Sequence, residues 1–137
     1  MDAGWNESIL YASVQLAHNF GAAAVTRLPI AAVWFGPAEL TLRKIAWLTL
    51  LAWIAQALSG AGFGTVSYFQ EGELPQIHHL ALAALCVKIA CAALAVILLT
   101  VHFLRRDAAG PGVATWRSLT VLGVTALTSA AVLRWFS

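Results

Sequence analysis

At 137 residues, 61% hydrophobic and 10% charged, with a mean hydropathy of +0.80, the chain is too apolar for a water-soluble domain, which carries roughly 25% charged residues. The net charge of +2 is small and the basic residues are scattered, which excludes nucleic acid as a partner. Four apolar segments leave no room for a soluble domain and predict an all-α, integral membrane four-helix bundle, one transmembrane domain over residues 1–137. Lipid cannot satisfy backbone N–H and C=O groups, so each segment must be a helix.

The first helix is expected over residues 9–35. It does not read as a signal peptide, because Asp2 and Glu7 precede it instead of a basic region and its apolar stretch is too long. Trp5 and Tyr11 mark one end and Trp34 and Phe35 the other, as interfacial aromatics do. Pro29 lies inside it and predicts a kink. His18 and Gln15 share nearly one face. Arg27 is expected to snorkel or to meet a lipid phosphate.

The second helix is expected over residues 45–63, with Trp47 by its inner end. Ser59-Gly60-Ala61-Gly62-Phe63-Gly64 is expected to end it, its small residues allowing close helix packing. The connection that follows holds Glu71 and Glu73 and no Lys or Arg.

The third helix, residues 80–104, is almost unbroken apolar sequence around a single Lys88. Ala81, Lys88, Ala95 and His102 recur every seven residues and nearly superpose. Ala84 and Cys91 lie beside that line, so this face should pack against other helices. Cys86 and Cys91 lie about 140° apart round the helix and cannot bridge each other. An ionisable residue at such depth is a functional-site hypothesis by default. His18 lies seventeen residues above Phe35 and Lys88 sixteen above Leu104. At about 1.5 Å per residue the two share a depth.

The fourth helix is expected over residues 116–136, opened by Trp116 and closed by Trp135 and Phe136. Arg43 and Lys44 lie in the first connection, Arg105, Arg106 and Arg117 around the third. The positive-inside rule therefore places both termini on the non-cytoplasmic side. All six acidic residues lie outside the spans. Either Lys88 sheds its proton, or an anion from outside approaches it: a haem propionate, a lipid headgroup or a carboxylate of another subunit.

Three short motifs carry a resemblance. They are His18-Asn19-Phe20-Gly21-Ala22-Ala23-Ala24, then Arg43-Lys44-Ile45-Ala46 with Leu58-Ser59-Gly60, then Leu85-Cys86-Val87-Lys88-Ile89. Over about His18 to His102 the chain resembles the copper-resistance protein D (CopD) family of bacterial inner-membrane proteins. The resemblance implies copper movement at or across the bacterial inner membrane, often beside a periplasmic copper-binding partner. Met1 is the only methionine, so the thioether ligands of a Cu(I) route are absent.

Three functions follow as expectations. A CopD-like protein would meet copper at His78, His79 and Glu73 and pass it toward His18, imidazole and carboxylate being ordinary metal ligands. A b-type cytochrome or quinone-linked membrane anchor would ligate haem through His18 and a histidine of the third helix such as His79, with Lys88 near a propionate. An accessory subunit of a larger respiratory or metalloenzyme complex would explain Lys88 through another membrane subunit. The sequence shows no Walker motif, no nucleophile–base set and no zinc site, so a stand-alone enzyme is the weakest expectation.

Overall fold

The computed structural model describes residues 2–36, 38–71, 79–105 and 111–136. They form four helices: α1 (Asp2–Phe35), α2 (Glu39–Glu71), α3 (His79–Leu104) and α4 (Val113–Phe136). Gly36 ends α1 with a φ of +47°, the left-handed conformation that glycine adopts at a helix C-terminus. Ala38 opens α2 by accepting from the Leu42 N–H at 3.0 Å, and Gly112 does the same for α4 through Trp116 at 3.1 Å.

The helices close a ring in the order α1, α2, α3, α4. Sequence neighbours pack together and α4 returns to α1, while the diagonal pairs do not touch through their backbones. Among the described residues packing is closest in the α1–α2 and α3–α4 hairpins and thinnest between α2 and α3. Near the start of α2 and the end of α3 these two helices are joined by the stacked rings of Trp47 and Phe103, with centroids 4.2 Å apart.

The buried positions recur at heptad spacing in every helix. On α1 they are Gly21, Val25, Pro29 and Ala32; on α3, Ala84, Cys91, Ala95 and Leu99; on α4, Trp116, Leu119, Gly123 and Ala126. Such a 3.5-residue repeat suits nearly parallel helices with a left-handed wrap. The seam is marked by size. Alanine is its commonest residue, beside the larger Trp53, Leu99, Trp116 and Leu119, while most Leu, Ile and aromatic side chains cover the outside. Water cannot drive helices together in lipid, so association rests on close contact between small residues. At two places the contact excludes even a methyl group. A Cβ on Gly21 would meet Gln56 Nε2 at 2.8 Å, and one on Gly123 would meet the Val25 carbonyl oxygen at 2.7 Å.

Three helices are long and apolar enough to cross a membrane among the described residues: Glu39–Gly62, Leu82–Leu104 and Val113–Trp135. The fourth, α1, carries Glu7, Gln15, His18, Asn19 and Arg27 along its length, which lowers its hydropathy although it packs against α2 and α4. α1 starts earlier than the expected residue 9, and α2 runs past the expected end at 63, through Gly60 and Gly62 to Glu71. An interior glycine weakens a helix by about 1 kcal/mol but does not stop one held by neighbours. Pro29 is fully buried, and α1 remains helical through it. Trp116, expected in the interfacial belt, is instead buried in the core at 2% exposure. Trp34, Phe35 and Trp135 do stand outside, each at 82% exposure.

Candidate functional site

Most described hydroxyls in this bundle are spent inside their own helix. Thr26, Thr49, Thr120 and Ser129 each donate to the carbonyl four residues back, the usual arrangement where no water is at hand. Ser59 departs from that habit. Its Oγ donates to the Gln56 carbonyl at 3.2 Å and meets His18 Nδ1 at 2.7 Å. Gln56 Nε2 donates to the His18 carbonyl, and Lys88 Nζ lies 3.2 Å from His18 Nε2. Among the described residues every interhelical hydrogen bond involves His18.

Donor and acceptor roles fix the direction of this chain. The Gln56 carbonyl only accepts, so it takes the single Ser59 proton. Ser59 must then accept from His18, whose Nδ1 carries the hydrogen. Nε2 keeps its lone pair and accepts from Lys88. Three bonds thus run in one sense from α3 across α1 to α2, and the imidazole is held in a defined tautomer and orientation.

The position of the site follows from the ring. α1 and α3 lie on a diagonal and share no backbone contact, so only a long side chain on α3 can reach α1. Lys88 does so through the middle of the bundle. Beside it lies a cavity of about 590 Å³ with all four helices in its wall. Among the described residues, Lys88 and His18 are the only ionisable side chains in the wall; nearly everything else is Ala, Gly, Val, Leu or Ile. Trp53 also lines it, and the Trp53 Nε1–H is buried without a partner among the described residues. A buried unsatisfied donor calls for a physical explanation.

Other expected site residues do not join this cluster. His79 is exposed at the start of α3, nine residues and so about 13 Å above Lys88 along the axis. It therefore does not meet His18. Glu73 and His78 lie outside the described residues, as does the side chain of Glu71. Gln15 turns outward to Asn19, 3.2 Å away, instead of joining His18. No group of three His, Cys, Asp or Glu side chains able to hold a metal occurs among the described residues. Cys86 and Cys91 are free thiols, the first exposed and the second buried.

Sequence reasoning passed over Gln56 and Ser59. The signal was present: within residues 45–63 only Thr49, Gln56 and Ser59 bear polar side chains. Gln56 and Ser59 are three apart and so share a face. Gly21 and Gly123 were equally silent until the neighbouring helix was in view.

No family model, curated protein or solved structure matches the chain. The molecule defined by the fold is an all-helical, four-helix protein with three helices fit to cross a bilayer and a basic pair inside.

Proposed function

We propose that this chain is an integral membrane protein of CopD-like type whose function is to hold a guest inside its bundle, as a non-catalytic binding or accessory component of a bacterial inner membrane. The observation that carries this reading is the His18–Lys88 contact at the wall of an apolar cavity. A lysine in a membrane span is costly, and a cavity of this size lies within the range that binds one small molecule, about 300–1,000 Å³. Among the described residues the wall contains no nucleophile–base pair, which favours binding over chemistry.

In this reading all four helices span, with both termini outside. Support comes from Arg43 and Lys44 at the start of α2, Arg105 beyond α3 and Arg117 at the start of α4, all at the end where the first and third connections lie. Copper handling, which the CopD likeness implies, falls on His18 as the one imidazole in the cavity wall among the described residues. There a copper ion and Lys88 compete for the one lone pair of Nε2. Copper is therefore expected to bind weakly to the intact protein and better to Lys88→Met, read by titration with histidine-sensitive spectroscopy.

The reading is tested on protein purified in a mild nonionic detergent. Its absorption spectrum, metal content and the mass spectrum of its organic extract are measured together. One stoichiometric guest that disappears from His18→Leu supports it. Protein that carries nothing, and whose stability no added small molecule or metal changes, overturns it.

A further inference from the structure

The cavity reaches the outside of the bundle between α2 and α3. On α2, Ala52, Gln56 and Ser59 face α1, which turns Ala57, Gly60 and Ala61 toward α3. On α3, a second groove shows that Leu80, Ala83, Ala84 and Val87 face α4, which turns Ile89 and Ala93 toward α2. These five residues, Ala57, Gly60, Ala61, Ile89 and Ala93, line the cavity and are exposed, as is Leu127 of α4. They flank the thinnest of the four helix contacts. The opening is thus lateral and apolar, and it faces lipid when the helices span. Small residues at its edge leave the passage wide; a Cβ on Gly60 would meet nothing within 4 Å.

Inside, the polar end has one sign. Lys88 has His18 as a partner, and among the described residues no carboxylate lies in the cavity wall. Two basic groups in contact do not neutralise each other, so a proton held by the pair favours an anion brought to Lys88. Water-borne anions would have to cross the apolar opening. An anion that carries its own apolar chain enters through it.

We propose that the cavity takes a single-chain amphiphile with an anionic head, a long-chain carboxylate, entering sideways from the bilayer between α2 and α3 with its head on Lys88. The inference rests on the guest-holding reading and names the guest's chemical class. One chain suits a cavity of about 590 Å³, whereas a two-chain phospholipid would leave a chain behind in the bilayer.

The test uses the full chain in a nonionic detergent, with native mass spectrometry counting adducts of stearate, of stearyl alcohol and of lysophosphatidate. A charge-assisted head contact should favour stearate over the alcohol by about tenfold. Lys88→Met should bring the two within about twofold, and Lys88→Arg, which keeps the charge, should restore the preference. Equal binding of acid and alcohol by the unaltered protein overturns the proposal, as does a preference that survives in Lys88→Met. Preference for lysophosphatidate over stearate keeps the anionic head and overturns the carboxylate. If none binds while the organic extract contains another guest, this proposal falls and the guest-holding function stands. If none binds and the extract is empty, both fall.

Discussion

Two glycines make opposite predictions under one substitution. At Gly123 an added methyl group would sit 2.7 Å from the Val25 carbonyl oxygen and 3.3 Å from its carbonyl carbon. The obstacle is backbone and cannot swing aside. Ordinary contact begins near 3.4 Å, so α4 must back away from α1 by about 0.7 Å. Overpacking of that kind costs about 1–3 kcal/mol, and alanine's better helix propensity returns about 1 kcal/mol. Gly123→Ala should therefore destabilise by up to about 2 kcal/mol. At Gly60, also interior to a helix, a Cβ meets nothing within 4 Å. Gly60→Ala should stabilise by about 0.5–1 kcal/mol through the unfolded chain. Both variants are compared with the parent by circular dichroism during denaturant titration in one detergent. A Gly123→Ala protein at least as stable as the parent would refute the close α1–α4 crossing. Two shifts of one sign would show that helix propensity, and not the neighbouring helix, governs both sites.

Three further measurements probe the polar chain. In nitrogen-15 NMR of histidine-labelled protein, His18 should show the Nδ1–H tautomer, and Ser59→Ala should leave a mixture; an unchanged spectrum would mean that Ser59 does not orient the ring. Replacing exposed His79 by alanine should leave stability within about 0.5 kcal/mol of the parent, read in the same titration. His18→Ala should cost more than about 1 kcal/mol, because it strips partners from both Ser59 and Lys88.

The sequence made the helices and the depth of the pair legible for one reason: apolar length and axial rise are local properties. His18 and Lys88 were placed at one level by counting from Phe35 and Leu104, and their ring-nitrogen contact at 3.2 Å agrees. The small-residue face around Lys88 was legible too, and Ala84, Cys91 and Ala95 are buried. What escaped depends on the opposing helix. Gly60 and Gly62 read as a helix end because glycine weakens a helix, yet α2 passes through them. Trp116 read as interfacial because tryptophan near a helix end usually is; only the ring of four helices turns it inward. Gln56 and Ser59 acquire meaning from His18, which is about forty residues away in sequence.

Lys88 can be explained in another way, as a structural tie between diagonal helices. The two explanations differ in sign. A tie must stabilise: Lys88→Met would then weaken the protein, and the loss would vanish on a His18→Ala background. Against the tie stands the cost of a lysine near the middle of a span, about 2.5–3.5 kcal/mol on insertion scales. One hydrogen bond to a neutral imidazole offsets about 1 kcal/mol of it. Four helices already joined in a ring by small-residue contacts need no diagonal strut. Lys88→Met should therefore stabilise the guest-free protein by about 1.5–2.5 kcal/mol with His18 present, and by more with His18 replaced. The double-mutant cycle is run on protein stripped of lipid by detergent exchange, since a bound guest would reverse the sign. Destabilisation by Lys88→Met in the stripped protein, lost when His18 is alanine, would assign the lysine to structure and remove the reason for seeking its anion.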